Sequence, residues 1–580
     1  MLVSSYNLKP ALKLDGSCIV GYDNIIELIK KDINYNSNFT LIIDSYPGVD
    51  DEEVLNNFLK LNPNLVINMY DIFKIKEELN IFLYPFLGED RVFGKMFFGE
   101  IIDLLDLRKL EEAKNKVKEN EGLTIVYGFG AQLVSKGDLL IYADLARWEI
   151  QQRYRNKMPN YKCDNYDEDT LKKIKRGFFV EWRIADKHKR RLFDDIDYVL
   201  DTNKKNQPKL ISGDLFRKGL IEFCNTPFRT VPYFDKGVWG GQWMKEKFDL
   251  DPKESNYAWS FDGVLEENSL YFEIEDNIFE FPGINLVLYR PKELLGEKVY
   301  SRFGAEFPIR FDLLDTVEGQ NLSLQVHPLT DYIYKTFGMN YTQEESYYLL
   351  DAKEDASVYL GLKENIDSNE MLKELKEANK GKKQFDAEKY VNKFPAKKHD
   401  HFLIPPGTIH CSGKNSVVLE ISATPYIFTF KLWDWGRLGL DGKPRPVHIE
   451  HGEKVIQWNR DTKWVKENLI NNIVKVENDE CEEEITGLHD LEFIETRRYW
   501  FDKKINHDTR GTLNVLNLVE GDSILVEAIN NEFEPYVVNY GETFVVPANV
   551  GKYTIKPYGN RSKYGVIKAF VKNSFDKDKS

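Results

Sequence analysis

The sequence predicts a multidomain protein, in which an N-terminal α/β domain with a mostly parallel sheet precedes two mainly-β, barrel-like units. Three observations predict this class. The 580 residues exceed what one hydrophobic core organises. Residues 1–222 alternate β-rich runs with charged helical stretches. After about Cys224 the chain changes to short aromatic strands separated by glycine, proline and asparagine, which favours antiparallel sandwiches or barrels.

The N-terminal domain, residues 1–222, is predicted from its alternation of strands and helices. The strand-like runs include FTLIIDSY, LTIVYGFG and DLLIYADL, and the helical runs include DEEVLNNFLKL and LRKLEEAKNKVKEN. Strands that alternate with helices favour parallel pairing, with the helices covering the sheet.

Two β domains are predicted to follow, at residues 223–470 and 471–580. The first contains VVLEISATPYIFTFKLWDW and the second contains SILVEAIN and ETFVVPANV, all with the texture of strands. A polar amphipathic stretch at about 366–398 is predicted to be a helical insertion in the first β domain.

The composition argues against several function classes. The net charge is −15 and no stretch forms a basic arm, so a nucleic-acid partner has no electrostatic support. The five cysteines are far apart and never spaced C-x-x-C, which fits a reducing compartment. The N-terminus lacks the pattern of a signal peptide and no apolar run reaches membrane-spanning length, so we expect a cytoplasmic protein without a membrane partner.

The segment NLSLQVHP, residues 321–328, carries the first chemical signal. Side chains at positions i and i+2 of a strand project to one face, so Gln325 and His327 face the same interior while Leu324 and Val326 face the other side. Buried polar groups need partners. A metal ion is one such partner.

Further polar residues follow in a suggestive order. Glu344 and Glu345 precede a strand-like run, and the turn Pro405-Pro406-Gly407 comes just before His410. A glutamine oxygen, two imidazoles and a carboxylate suit Zn²⁺ or another borderline divalent ion. Each residue alone is more often a core histidine, a solvated glutamate or an ordinary turn.

The combination closely resembles the class I mannose-6-phosphate isomerases, zinc enzymes of the cupin superfamily. The motifs are FPIRFDLLDTVEGQNLSLQVHP, EESYYLLDAK, FLIPPGTIHCSG and FTFKLWDWGR, and the resemblance covers roughly residues 225–575. It implies two cupin-like jelly-roll barrels and one Zn²⁺ in the catalytic domain. The implied metal ligands are Gln325, His327, Glu345 and His410.

The same resemblance implies a catalytic arginine, Arg437, for which the alternative is a structural ion pair with Asp434. The substrate phosphate needs cations, and the candidates beside Arg437 are Arg310, Lys414 and Lys431. Each of these three is more often an ordinary surface charge.

Two departures from the family pattern matter. Many members carry lysine two residues before the metal-binding glutamate, where this chain has Gln343. The Tyr-Arg pair that precedes the catalytic arginine is Phe430-Lys431, which keeps a positive charge and loses the planar guanidinium. The metal ligands are unaffected, but the proton-transfer group is left open.

The N-terminal domain offers weaker signals. Gly128 and Gly130 follow a strand but lack the third glycine of a dinucleotide fingerprint, and G-x-x-x-x-G-K-[ST] occurs nowhere. The runs DLLIYADLARWEIQQRYRNK and TLIIDSYPGVDDEEV faintly resemble nucleoside-kinase-like domains, although this chain lacks their phosphate loop. A degenerate relative of that class and a purely structural α/β domain remain equally open.

The resemblance implies an enzyme that interconverts mannose 6-phosphate and fructose 6-phosphate, with a small-molecule sugar phosphate as its partner. The alternative is a non-catalytic metal-binding sugar-phosphate sensor, with the kinase-like N-terminal domain as a regulatory domain that transmits its ligand state. A bifunctional isomerase and kinase is a third possibility, which the missing phosphate loop disfavours. The oligomeric state stays open.

Overall fold

The computed structural model describes residues 5–33, 37–425, 427–440, 442, 445–487 and 489–574. These residues form two units. The N-terminal unit contains 11–223 and 266–290, and the β unit contains the described parts of 1–10, 224–265 and 291–580. The chain is therefore a multidomain mixed α/β protein, as predicted.

The first 223 residues contain eight strands and nine helices among the residues described. The strands are β1 (Leu12–Leu14), β2 (Ile19–Val20), β3 (Phe39–Ser45), β4 (Leu65–Asn68), β5 (Leu123–Gly128), β6 (Leu139–Asp144), β7 (Tyr198–Asp201) and β8 (Lys209–Ser212). The helices are α1 (Tyr22–Asp32), α2 (Asp51–Phe58), α3 (Met69–Ile72), α4 (Lys76–Leu87), α5 (Leu107–Glu119), α6 (Arg147–Arg155), α7 (Thr170–Arg176), α8 (Trp182–Leu192) and α9 (Gly213–Phe223).

The next stretch, up to Asn468, is richer in strands. Its strands are β9 (Tyr233–Asp235), β10 (Trp259–Gly263), β11 (Ser269–Ile274), β12 (Asn277–Pro282), β13 (Ile309–Asp315), β14 (Leu324–Val326), β15 (Glu345–Ala352), β16 (Ser357–Leu362), β17 (Val391–Pro395), β18 (His401–Ile404), β19 (His410–Ser412), β20 (Ser416–Ala423) and β21 (Phe430–Trp433). Its helices are α10 (Trp243–Lys247), α11 (Ile284–Tyr289), α12 (Pro291–Leu295), α13 (Glu297–Phe303), α14 (Thr330–Phe337), α15 (Ser368–Asn379), α16 (Ala387–Tyr390), α17 (Ile449–Gly452) and α18 (Thr462–Asn468).

The C-terminal residues add ten more strands within the described part. These are β22 (Val474–Val476), β23 (Glu482–Gly487), β24 (Ile494–Phe501), β25 (Ile505–Asp508), β26 (Asn514–Glu520), β27 (Ser523–Ala528), β28 (Tyr536–Asn539), β29 (Thr543–Val546), β30 (Lys552–Pro557) and β31 (Tyr564–Val571). Short 3₁₀ turns lie at Leu59–Leu61, Ile101–Leu104, Ala131–Leu133 and Ala548–Val550, and a π-helical turn lies at Gly177–Glu181.

The N-terminal unit is built on a seven-stranded sheet of order β2-β8-β7-β6-β3-β5-β4. Its five strands from β7 to β4 are parallel, and β8 and β2 add antiparallel edges. Helices such as α1 bury one apolar face, here Ile25, Ile26 and Ile29, at the spacing of a helix turn.

Two segments lie in a different unit from the one that the sequence predicted. The described part of residues 1–10 falls in the predicted N-terminal domain, yet it belongs to the β unit. Residues 266–290 fall in the predicted first β domain, yet they belong to the N-terminal unit. Strand β11 pairs in parallel with β1 and antiparallel with β12, forming a three-stranded sheet. A pairing between residues about 260 positions apart leaves no local signature in the sequence.

The β unit contains two pairs of sheets. In the first pair, a six-stranded sheet of order β18-β15-β20-β13-β10-β9 accompanies a five-stranded sheet of order β17-β16-β19-β14-β21. In the second pair, the orders are β22-β23-β24-β31-β26-β29 and β25-β30-β27-β28, and an apolar core that includes Tyr499, Leu518, Ile524 and Tyr553 lies between them. Helices α15 and α16 fall in the stretch predicted as a helical insertion. None of the described helices is long and apolar enough to cross a bilayer.

Arg229 is a buried ionic link in the β unit. Its guanidinium lies 3.0 Å from Asp262 Oδ1 and 2.7 Å from Glu542 Oε1, and its side chain is 1% exposed. Burial raises the pKa of Asp262 to about 6, although Arg229 opposes this shift. Arg229 therefore supplies the counter-charge for two buried carboxylates.

We expect Arg229→Ala to destabilise the β unit by about 3–5 kcal/mol, because two buried carboxylates lose their counter-charge. Urea unfolding followed by circular dichroism measures the shift in midpoint. Arg561→Ala is the control, since that arginine pairs with Asp522 at 2.9 Å but is 69% exposed. Equal midpoint shifts for the two variants would contradict the prediction.

Candidate functional site

Three side chains meet between the two sheets of the first pair. His327 Nε2 lies 2.6 Å from Glu345 Oε2, and His410 Nε2 lies 3.3 Å from Glu345 Oε1. All three side chains are fully buried, and their ligand atoms lie within 4.8 Å of one another. The geometry therefore brings together three of the four predicted metal ligands.

The fourth predicted ligand, Gln325, lies beside His410. Gln325 on β14 is directly opposite His410 on β19, so the two side chains share one face of the sheet. The amide nitrogen of Gln325 lies 3.1 Å from His410 Nε2, and its oxygen accepts a hydrogen bond from Ser323 Oγ. A half-turn of the amide exchanges its oxygen and nitrogen and presents the oxygen to the same point.

Backbone carbonyls orient both imidazoles. His410 Nδ1 lies 2.9 Å from the Thr408 carbonyl oxygen, and His327 Nδ1 lies 3.4 Å from the Phe428 carbonyl oxygen. A carbonyl oxygen only accepts, so each Nδ1 carries the ring proton. The Nε2 lone pairs then point at Glu345, as they do in histidines that ligate metals.

In this arrangement the two imidazoles and the carboxylate of Glu345 turn their lone pairs toward one another, and no cationic side chain of the described residues contacts them. Two acceptors at 2.6 Å repel unless a proton or a cation lies between them. Burial lowers the pKa of His327, which opposes an imidazolium there. Burial also opposes the charge of Glu345, yet the two adjacent imidazoles lower the pKa of this carboxyl. Glu345 Oε1 accepts no hydrogen bond within the described part of the chain. The donor set fits a divalent cation of the zinc type.

The turn before His410 joins both histidines. Gly407 has a φ of +86°, and a Cβ there would lie 2.8 Å from the Val455 carbonyl oxygen, so glycine is required. The Gly407 N–H donates to the His327 carbonyl oxygen at 2.9 Å. Arg460 Nη1 donates to the carbonyls of Pro405 and Pro406. The sequence indicated the turn, whereas the supporting arginine lies about 50 residues further on.

Gln343 supports the carboxylate of Glu345. Its amide nitrogen lies 3.2 Å from Glu345 Oε2, and its oxygen accepts from Thr429 Oγ1. The residue that replaces the expected lysine therefore donates to the ligand carboxylate and brings no charge.

A second polar layer lies on the six-stranded sheet and was not predicted. Tyr347 pairs with Glu420, and Glu420 pairs with Asp312, so these three side chains share the inner face of the sheet with Glu345. Burial raises the pKa of Glu420 strongly, and the charges of Glu345 and Asp312 add to the shift. Ser422 Oγ donates to Glu420 at 3.0 Å. The alternation of Glu420 and Ser422 within the apolar run VVLEISA is the signal that could have found this layer.

Arg310 and Lys431 lie on the inner faces of the two sheets. Arg310 on β13 is opposite Ser422, which is itself opposite Glu345 on β15. The guanidinium of Arg310 lies 2.7 Å from Asp312 Oδ2. Lys431 on β21 is opposite Gln325, so it borders the ligand cluster from the five-stranded sheet.

Arg437 and Lys414 have structural partners. Arg437 pairs with Asp434 and donates to the Asn321 carbonyl oxygen at 2.7 Å, which ties the residues after β21 to the start of the ligand-bearing segment. Lys414 lies 3.0 Å from Asp355 and is 56% exposed. The geometry brings neither cation into hydrogen-bond contact with the three metal-type ligands.

The two histidines of the His399-Asp400-His401 segment both lie beside Tyr348 and outside the His327 cluster. His399 contacts Tyr348 Oη at 2.9 Å and Glu520 Oε2 at 3.1 Å. His401 is buried on β18 opposite Tyr348. The only His, Cys, Asp and Glu cluster suited to a metal within the described residues is His327, Glu345 and His410.

Comparisons with known proteins support the resemblance at low identity. The Bacillus subtilis protein GmuF, named a probable mannose-6-phosphate isomerase, is 24% identical to this chain over 336 residues. These residues are 57% of this chain and 96% of GmuF. Mannose-6-phosphate isomerase ManA of the same organism is 24% identical over 232 residues, which are 40% of this chain and 68% of that protein.

Two solved structures and one family model also match parts of this chain. The crystal structure of a mannose 6-phosphate isomerase from Bacillus subtilis is similar with a TM-score of 0.47 and 18% identity, over 59% of this chain and 99% of that one. A mannose 6-phosphate isomerase bound with zinc and yttrium gives a TM-score of 0.44 and 14% identity, over 60% of this chain and 100% of that one. A family model described as a domain of unknown function, DUF8485, matches residues 21–225.

Proposed function

We propose that this chain is a zinc-dependent aldose–ketose isomerase that interconverts mannose 6-phosphate and fructose 6-phosphate. The observation that carries the proposal is the buried convergence of His327, Glu345 and His410, with both Nε2 atoms turned toward the carboxylate. The relatives named mannose-6-phosphate isomerase support the choice of substrate.

The proposed metal ligands are His327, Glu345, His410 and the amide oxygen of Gln325. When bound, zinc supplies Lewis acidity that polarises a carbonyl and stabilises negative charge on oxygen next to the reacting carbons. The carbonyl partners of both imidazoles fix the direction of the ligand atoms, and Gln343 holds the carboxylate.

The reaction moves a proton between carbon 2 and carbon 1 of the sugar through an enediolate. Glu420 is the buried carboxyl best placed for proton transfer, because it shares the inner face with Glu345 and burial favours its protonated form. The reaction also requires one sugar oxygen to gain a proton and its neighbour to lose one. The protonated Glu420 carboxyl donates to the first oxygen, and the carboxylate that results accepts the proton that the second oxygen releases.

Lys431 is the cation that we propose for contact with the substrate phosphate, because it is directly opposite Gln325 on the inner face. Arg310 is held by Asp312, and it is better placed to set the charge of the polar layer around Glu420. Arg437 is proposed to stabilise negative charge on the sugar, with its pair to Asp434 setting its orientation.

We expect His410→Ala to bind zinc more than about 100-fold less tightly than the wild type and to lose isomerase activity, because a buried ligand is removed. Elemental analysis measures zinc, and an assay coupled to fructose 6-phosphate measures turnover. Chelation should abolish turnover of the wild-type protein, and added Zn²⁺ should restore it.

His489→Ala is the control, because this histidine accepts from the Leu491 N–H and lies outside the cluster. Sugar-phosphate binding without isomerisation by the zinc-loaded wild type would refute the enzyme and favour the sensor. Full zinc retention in His410→Ala would refute the ligand assignment.

Arg437→Ala is expected to keep its zinc and to lower kcat by about 10²–10³, the cost of removing a donor to transition-state charge. Arg445→Ala is the matched control, because Arg445 Nη1 lies 2.7 Å from the other oxygen of Asp434. Steady-state kinetics with parallel zinc analysis measures both variants. Normal turnover in Arg437→Ala would remove the catalytic role and leave the structural pair with Asp434.

We expect Lys431→Ala to raise KM for mannose 6-phosphate by about tenfold, since one charge-assisted contact to phosphate is lost. Lys414→Ala should leave KM unchanged, because this lysine pairs with Asp355 at the surface. Steady-state kinetics on both variants makes the comparison. An increase in KM for Lys414→Ala alone would reverse the assignment.

A further inference from the structure

A cavity in the C-terminal sheets is separate from the His327 cluster. It has a volume of about 400 Å³ and opens at one end of the second sheet pair. Its lining includes Arg497, Tyr499, His507 and Lys568. A volume of about 300–1,000 Å³ is typical of small-molecule sites.

The cavity begins where the apolar interior of the second sheet pair ends. On β31 the inward row runs Tyr564, Val566 and then Lys568, because alternate residues share a face. On β24 the inward row runs Phe501, Tyr499 and then Arg497, and Arg497 is directly opposite Lys568. In each row a cationic side chain, Lys568 or Arg497, therefore occupies the position that follows the apolar residues.

Lys568 is buried and faces the cavity. It is 6% exposed, and its ammonium lies over the ring of Tyr499 at 5.1 Å. The ammonium makes no hydrogen bond or ion pair within the described part of the chain. Burial lowers its pKa to about 8, the charge of Glu483 opposes this shift, and the charges of Arg497 and Arg510 add to it. A buried ammonium that no carboxylate contacts directly costs stability, so the position is unfavourable for the fold alone.

His507 is a second buried polar group that faces the cavity. It is 7% exposed and stacks on Tyr553, with ring centroids 5.3 Å apart. Its Nε2 atom has no hydrogen-bond partner among the described residues. Burial lowers the pKa of His507 well below its ordinary value, and Lys568 adds to the shift. A neutral imidazole offers one hydrogen bond through this nitrogen.

The charges around the cavity favour a dianion. Four cationic and two anionic side chains line it, so the lining is positive on balance. Arg497 is already paired, because Glu483 lies 2.8 Å from it and Glu495, outside the lining, lies 2.7 Å from it. Glu483 also contacts Tyr499 and Asn478. A phosphate monoester carries a charge of about −1.5 to −2 at pH 7, which suits a positive lining.

We propose that the C-terminal sheet pair binds a small phosphate-bearing ligand, with Lys568 and His507 as its buried contacts. The site shares no residue with the proposed isomerase centre, and it does not depend on isomerase activity. A phosphate monoester and free phosphate present the same chemistry to these two groups.

Calorimetric titration of the full chain with inorganic phosphate, mannose 6-phosphate and mannose tests the site. Phosphate should bind the wild type saturably and raise its Tm, and Lys568→Met should weaken that binding by about tenfold or more. Lys556→Met is the matched control, because Lys556 pairs with Glu527 at 2.7 Å outside the cavity. Stronger binding of mannose 6-phosphate than of phosphate, lost in Lys568→Met, identifies a sugar phosphate as the ligand.

Two outcomes overturn the proposal. One is equal phosphate affinity in Lys568→Met and the wild type. The other is that neither phosphate nor mannose 6-phosphate shows saturable binding that depends on Lys568. His507→Phe keeps the ring stacked on Tyr553 and removes the nitrogen, so it tests the site independently if Lys568→Met folds poorly. We expect His507→Phe to weaken phosphate binding several-fold and to leave isomerase kcat/KM unchanged. Wild-type phosphate affinity in this variant would also refute the proposal.

Discussion

The first sheet pair depends on three buried ligand-type groups facing one another. His327, Glu345 and His410 come from different strands on two sheets, and their approach to within hydrogen-bond distance has no use in an apolar core. The surrounding structure is arranged to sustain it. Thr408 and Phe428 fix the rings, Gly407 joins the turn to His327, and Arg460 satisfies the turn carbonyls. The surrounding polar groups, which themselves need hydrogen-bond partners, thus hold the three ligand-type side chains in position.

The resemblance to the mannose-6-phosphate isomerases implied this set of ligands, and two local patterns in the sequence agree with it. Alternation in a strand places Gln325 and His327 together, and the turn before His410 is visible as Pro-Pro-Gly. The second polar layer escaped because Glu420, Asp312 and Tyr347 become neighbours only through strand register. The partner of Arg437 was foreseeable because Asp434 lies three residues away, whereas the Asn321 carbonyl depends on tertiary folding.

The two sheet pairs of the β unit use the same alternation for different interiors. In the first pair, polar side chains on both inner faces meet around a carboxylate. In the second, the inner rows are apolar along most of their length and become cationic only at one end, at Arg497 and Lys568. An anion is attracted to the second interior and a cation to the first, because the buried charge has the opposite sign.

The N-terminal unit shows why a fold alone does not assign chemistry. Its parallel strands end at one edge, where doubly wound sheets commonly bind ligands. The helix after the central strand, α2, starts with Asp51, Glu52 and Glu53, and Asp50 caps it by accepting from the Glu53 N–H. Asp50 already caps the helix and the two glutamates repel a phosphate there, whereas burial raises the pKa of Asp51 to about 7. The acidic start of α2 therefore argues against the binding of a phosphate at that helix.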